Sequence, residues 1–366
     1  MALNYEQKTP RSIMRDLLVD PGPSASRGYA FPHIFGMPQG GEAVASGRAI
    51  DLGGQPGGLK GTLLVRSSRD MLGAASEVSL YGKPVGSPRD LVERFAVSQI
   101  NFDLKQFAAM AEELIDDVEH GLFPDEEQAM AKAVARSVNT QIEFYCSDYF
   151  TKRSNEAATA SKLGGWTEMD FQGGTLGGQA LATSTNAITA LHRAVSAVEL
   201  AGSQKCNMAI IPKPVFEKLQ RDAELLGRIV NGQNWAVSGN AVANEEAAKA
   251  VLREHLGFEE IIIAAGSHTA KKRGDSYNPA TDNAYIWPTD RMWIGAASDM
   301  DVKLNGNQPK VLNEAGGFGC LYSKVFETDL GYPDNVGPQH IRCTVTSTLE
   351  MVTLSPEKGA IIYNMG

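Results

Sequence analysis

Between Asp125 and Phe150 the chain places Met130, Val134, Val138, Ile142 and Cys146 at every fourth position, with Tyr145 and Tyr149 alongside. At 3.6 residues per turn this spacing lays the apolar groups along one face of a helix. Pro124-Asp125-Glu126-Glu127-Gln128 supplies its start: Asp125 caps, Gln128 closes a capping box, and the acids suit the positive end of the helix dipole. A helix from about 125 to 150 is roughly 39 Å long at ~1.5 Å per residue, more than twice the ordinary length. It is a spine on which other elements must be laid, and it sets the scale of the fold.

The rest of the composition fits a globular body. The 366 residues allow about two domains, and 43% apolar content is ordinary for a packed core. No run of about 18 uncharged apolar residues occurs, so no membrane span is expected. Residues 1–20 carry Glu6, Lys8, Arg11, Arg15 and Asp16, which excludes the apolar segment of a signal peptide. The four cysteines, Cys146, Cys206, Cys320 and Cys343, form no C-x-x-C pair, which argues against a disulfide framework or zinc module. Net charge −9 and a pI near 5.3 argue against tight nucleic-acid binding. These features predict a soluble protein of a reducing compartment.

Ahead of the spine, Ile13, Met14, Leu17 and Leu18 form a short helical pattern ending at Pro21-Gly22-Pro23. Eleven glycines then fall between Gly22 and Gly61, too few large apolar groups for a core of its own. Two readings stay open: a flexible tail, or an arm ordered against a neighbour, since Tyr29, Phe31, Ile34 and Phe35 are large groups to leave in water. Thr62–Val65 and Val78–Tyr81 read as strands, and Phe95–Leu104 as a strand with a bulge or bend between Val97 and Ile100. Residues 62–105 thus read as a charged two-stranded flap that needs a partner.

After the spine, Gly-rich turns at 164–165 and 173–178 open an α+β section of about 150 residues. Helices are predicted at 186–201 stopped by Gly202, from Pro212-Lys213-Pro214 through Leu226, and at 244–256 closed by Gly257. Strands are predicted at 206–211 and 259–264, with 284–287 and 292–294 as a pair around Pro288. Residues 341–346 alternate, 349–354 continue extended, and Pro356-Glu357-Lys358-Gly359 turns into a last strand at 360–363.

The search for chemistry finds no catalytic set. Glu112, Glu113, Asp116, Asp117, Glu119 and His120 are the best metal candidate, but their spacing matches no ligand pattern, and a solvated charged strand is the simpler reading. Gly173-Gly174-Thr175-Leu176-Gly177-Gly178 lacks the Lys and Ser/Thr of a P-loop and reads as a hinge. Cys320, in Gly316-Gly317-Phe318-Gly319-Cys320, has no base assigned to it, and the histidines are scattered singly. No G-x-S-x-G elbow is present.

The order of segments carries more. A Gly-rich arm, a charged extended excursion, a very long helix, an α+β section and C-terminal strands follow one another. This resembles the major capsid proteins of tailed bacteriophages, with the Hong Kong phage (HK-ninety-seven) fold. Ile188 to Leu219, including Asn207-Met208-Ala209-Ile210-Ile211-Pro212-Lys213-Pro214-Val215-Phe216-Glu217-Lys218-Leu219, looks like that family's axial helix, strand and helix. Glu259–Gly266 and Tyr285-Ile286-Trp287 resemble the strands that follow, and Thr353-Leu354-Ser355-Pro356-Glu357-Lys358-Gly359-Ala360 the last hairpin.

The resemblance covers residues 60–366. It implies an α+β fold with an N-terminal arm (1–61), an extended loop (62–105), a peripheral domain (106–182 plus 336–366) and an axial domain (183–335). It further implies hexamers and pentamers of an icosahedral shell, made in the bacterial host cytoplasm and enclosing double-stranded DNA without sequence-specific contacts. Portal, scaffold or decoration proteins are the implied further partners; no cofactor, metal or catalytic residue is implied, and no Lys–Asn cross-link is assigned. Arg66, Arg69, Arg89, Asp90, Glu93 and Arg94, along the loop, are the candidate inter-subunit contacts. The rival readings are a soluble metal-dependent enzyme using Asp116 and Asp117, and a discrete oligomeric binding protein.

Overall fold

The computed structural model describes residues 29–35, 48–52, 60–66, 97–114, 126–156, 164–181, 183–231, 242–269, 271, 275–298, 311–312, 316–331 and 340–366. Its elements begin with α1 (Phe31–Phe35), β1 (Ala49–Asp51), β2 (Lys60–Arg66), β3 (Val97–Asp103), β4 (Lys105–Leu114) and the spine α2 (Glu126–Thr151). Next come β5 (Thr167–Asp170), α3 (Ala187–Gly202), β6 (Met208–Pro212), α4 (Lys213–Leu219), α5 (Ala223–Asn231), α6 (Glu245–Leu256) and β7 (Glu260–Ala264). The small strands β8 (Ser267–Thr269) and β9 (Asn283–Tyr285) flank α7 (Pro279–Asp282). The chain closes with β10 (Met292–Gly295), β11 (Val311–Leu312), β12 (Phe318–Gly331), β13 (His340–Thr353) and β14 (Gly359–Tyr363).

The spine has the expected register. Val134, Val138, Ile142, Cys146 and Tyr149 are buried along one stripe, while Ala133, Ser137, Gln141 and Phe144 look outward. Its last carbonyls are not left bare: Tyr149 O accepts from the Gly164 N–H at 3.1 Å and from Trp166 Nε1 at 3.1 Å.

Two sheets sandwich this helix. The first, ordered β1-β12-β13-β4, is laid on it through β13 and β4. Along β13, Cys343, Val345, Ser347, Leu349 and Met351 are buried while Thr344, Thr346 and Thr348 are half-buried, the period-two pattern of a strand with one covered face. The second sheet, ordered β5-β14-β10-β6-β7, separates two cores. Met208, Ile210, Ile262, Trp293 and Ile361 point toward the spine. Ala209, Ile211, Ile261, Ile294 and Ile362 point toward α3, α4, α5 and α6. Covered on both sides, such strands need unbroken apolar runs, which is what Met208–Pro212 provides.

An aromatic cluster joins the layers at the C-terminal end of the spine. Phe150 lies 5.0 Å, centroid to centroid, from both Trp293 and Phe318, and Trp166 lies 5.3 Å from Trp293. These edge-on approaches suit the ring quadrupoles. Gly295 and Gly359 are paired across β10 and β14 beneath the indoles. A Cβ on Gly359 would come within 2.8 Å of Trp166 and Trp293, so the glycine is what lets the rings close on the strand.

Four local expectations are corrected. Residues 283–285 pair with 267–269 and not with 292–294; β10 instead takes a central place between β14 and β6, where all four of its residues are buried. The helix expected to continue through Leu226 is split into α4 and α5, because Asp222 Oδ1 accepts the Leu225 N–H at 3.0 Å and starts a new helix. α3 closes on Ser203 in the left-handed conformation (φ 50°), not on a glycine; Gly202 is buried against Lys358. The bulge or bend expected between Val97 and Ile100 is absent, since β3 pairs with β2 without interruption from Val97 to Asp103, and the strand breaks only at buried Leu104, between β3 and β4.

Candidate functional site

With no catalytic set expected, the features to examine are those that project or that tether projecting segments. The flap is rooted at Leu104, where β3 passes into β4. Lys105 Nζ lies 4.4 Å above the Tyr145 ring, and Phe107 packs on the same ring at 5.5 Å. Tyr145 donates to Glu350 Oε2 at 2.9 Å, so the root is fixed to the spine and through it to β13. Beyond the root, β2 and β3 pair over seven residues, with Lys60 Nζ 2.8 Å from Asp103 Oδ2 at the base. The flap is not two-stranded: β11 adds a parallel third strand at Leu64 and Val65. No described side chain of β2 or β3 enters either core.

Of the candidate contacts, Arg66 ends β2; Arg69, Arg89, Asp90, Glu93 and Arg94 lie outside the described residues, as do the strand expected at 78–81 and the helical pattern at 13–18. Asp116, Asp117, Glu119 and His120 also lie outside them, while Glu112 and Glu113 fall in β4 opposite Arg342 and Ile341. Among the described residues no group of three or more His, Cys, Asp or Glu is placed to hold a metal, and no described helix is long and apolar enough to cross a membrane.

The described residues of the arm differ from either open reading. Phe31, Ile34 and Phe35 are buried against the chain's own spine, with Phe35 5.8 Å from Phe318 and 6.1 Å from Phe150. Residues 29–35 and 48–52 therefore find their covering surface within the same subunit, and the expectation of an arm ordered only by a neighbour is corrected for them. The tether is Glu143, fully buried on the spine. Its Oε1 accepts the Ala30 N–H at 2.8 Å and the Trp287 indole N–H, and its Oε2 accepts the Phe31 N–H at 3.0 Å. Burial pushes this carboxyl up to about 7 against the pull of those three donors. Tyr29 shares a 2.8 Å hydrogen bond with Thr140 one turn earlier, and Arg48 bridges the Ile34 carbonyl and Glu260. The sequence marked the arm's aromatic groups but not Glu143. The available signal was a lone carboxylate on the apolar stripe of a helix, one position past Ile142.

The other chemical candidates resolve structurally. The amides of Gly173, Gly177 and Gly178 are all spent on backbone carbonyls, and Arg193 Nη1 clasps the Leu176 carbonyl at 2.8 Å. The glycine stretch is a tight wrap around Phe171, with no free cradle at those three amides. Cys320 is wholly buried, and burial followed by the charge of Glu350 drives its thiol far above the ordinary range, the reverse of what a nucleophile needs. His33 and His192 are exposed, and His268 packs edge-on against Phe144 at 4.7 Å.

A spine between two sheets, a helical layer over the second sheet and a rooted flap make up an α+β fold that is also found in a phage-related protein and in a virus-like particle of known structure. The structure is similar to a phage-related protein from Bordetella bronchiseptica RB50, with TM-score 0.57 and 12% identity over 97% of this chain and 96% of the other. It is also similar to a virus-like particle from Pyrococcus furiosus, with TM-score 0.50 and 10% identity over 96% and 98%. No family model and no curated protein sequence matches the chain.

Proposed function

We propose that the chain is the structural subunit of an icosahedral shell, assembling with copies of itself into hexamers and pentamers, and that it has no catalytic role. The observation that carries this is the flap: a charged three-stranded ribbon, fixed at its root by Leu104, Lys105 and Phe107, whose described side chains contribute to neither core. A ribbon of that kind lowers its free energy by lying on another surface, and heterologous contacts between identical copies close rings and extend them into lattices. The likeness in fold to the phage-related protein and the virus-like particle, over nearly the full length of each chain, supports the same reading.

In this proposal 1–61 is the arm, 62–105 the extended loop, 106–182 with 336–366 the peripheral domain and 183–335 the axial domain. The two domains share a seam, since β5 and β14 from the first pair in one sheet with β10, β6 and β7 from the second. Arg66, Arg69, Arg89, Asp90, Glu93 and Arg94 make inter-subunit ion pairs. The shell belongs to a virion made in the host cytoplasm and encloses double-stranded DNA without reading its sequence. Net charge −9 keeps the subunit from gripping packaged DNA, and portal, scaffold or decoration proteins complete the particle. Sedimentation of the purified full chain tests the proposal: megadalton shells or capsomer rings are expected, whereas a monomer or small oligomer under all assembly conditions refutes it.

A further inference from the structure

We propose that β4 is a pairing edge: it joins the same strand of a second copy of this chain, antiparallel about a two-fold axis at Ala109, so that the sheets of the two copies run into one. Among the described residues the two sheets that sandwich the spine have four edge strands. Three of them are short: β1, β5 and β7 have three, four and five residues. β4 runs for ten, with β13 as its one described neighbour.

Edge strands are ordinarily kept from pairing by shortness, proline, a bulge or a charge in mid-strand. β4 has none of these. It pairs with β13 in one register without a shift, and Gln106-Phe107-Ala108-Ala109-Met110-Ala111 carries no charge, proline or glycine. Gln106, Ala108 and Met110 are exposed, Met110 by 65%. The spine covers the opposite face, where Phe107, Ala109 and Ala111 pack, and Gln141 donates from it to the Ala108 carbonyl at 3.3 Å. Gln141 is exposed, so its amide can turn to water when a strand N–H takes that carbonyl.

The occupant is a second copy because the edge is complementary to itself. Residues opposite one another in a sheet share a face. On β4 the odd positions 107, 109 and 111 face the spine and the even positions face out, so two such strands pair odd with odd. Centred on Ala109, the pairing sets Lys105 opposite the partner's Glu113 at both ends, Met110 opposite the partner's Ala108 on the outer face, and Phe107 opposite the partner's Ala111 on the spine face. Opposite charges, and large groups against small, are what cross-strand neighbours favour. A centre at Ala108 sets Lys105 against Ala111; a centre at Met110 sets that side chain on itself and carries Lys105 past the end of β4. The contact is isologous and closes as a dimer. It joins body to body and does not need the flap.

Register-specific cross-linking of the full chain tests this. Ala108→Cys and Met110→Cys change exposed positions, and the four native cysteines are buried and cannot contribute. Mixed in equal amounts and treated with oxidised glutathione, the two variants should give disulfide-linked dimer at several times the yield of either alone, because position 108 meets position 110 of the partner and neither meets itself. Glu113→Lys in both chains, which sets lysine against Lys105, should lower that yield several-fold. Equal cross-linking in either cysteine variant alone, or a yield indifferent to Glu113→Lys, overturns the pairing. So does the absence of mixed dimer both in concentrated solution and in particles. Particle size measured on the same samples reports separately on the proposed function.

Discussion

Phe150 sits where the spine ends and both sheets meet, touching Phe35 of the arm, Trp166, Trp293 and Phe318. Truncating a ring at such a junction leaves a cavity that rigid strands cannot fill. Phe150→Ala should cost ~3–5 kcal/mol, read as a lower urea midpoint at unchanged slope. Gly178 tests the opposite fault. A Cβ there would lie 2.8 Å from the Phe171 carbonyl and as close to its ring, so Gly178→Ala should lose ~1–3 kcal/mol by overpacking; a melting temperature equal to that of the parent would show that the wrap relaxes freely. The acids divide by sign. Arg291 holds Glu156 below its ordinary value; at Glu168 burial opposes, but Ser154 and Arg153 outweigh it. Their contribution is present above about 4.5 and is lost as pH falls below that value, whereas Glu143 favours the fold below 4.5 and stops doing so by about 7. Thermal melts from pH 3 to 8 should therefore pass through a maximum in the mildly acidic range, and Glu143→Gln should remove the decline on its neutral side while leaving the acid limb.

At the scale of elements, the spine and the helices α3 and α6 were legible because a 3.6-residue period repeats over several turns in each, and Gly257 closes α6 in the left-handed conformation (φ 76°) as expected. The strands β6, β7 and β13 were legible from apolar runs or alternation. Which strands pair was not, because pairing is decided by partners far along the chain: β10 meets Met208–Ile210 and Gly359–Ile362, more than 60 residues away on either side. The split between α4 and α5 turned on one side-chain hydrogen bond from Asp222. The site was legible only in outline. Charge and turn residues marked the flap, but its third strand, two residues of β11, is too short to leave a pattern. The flap's independence is testable. Lys60 and Asp103 stand side by side at 2.8 Å, so replacing 61–102 with a short Gly-Ser linker should join the ends without strain. The variant should keep its helical circular dichroism and near-parent melting temperature, yet fail to form particles; normal shells would remove the flap from assembly.

For the molecule as a whole, the distribution of buried surface is the informative quantity. The arm segments, the spine and two sheets share one core, and a four-helix layer closes the other. Among the described residues both cores are thus covered within one chain, and the described side chains of β2 and β3 belong to neither. This differs from a chain that folds only on its neighbours: the subunit should be a stable monomer before assembly, and assembly should be driven by projections docking on finished surfaces. Negative-stain electron microscopy of the purified full chain tests that account most directly. Closed shells of uniform diameter, or the hexameric and pentameric rings that build them, are the predicted result. A field of small, discrete particles under every salt and concentration that favours association would contradict it.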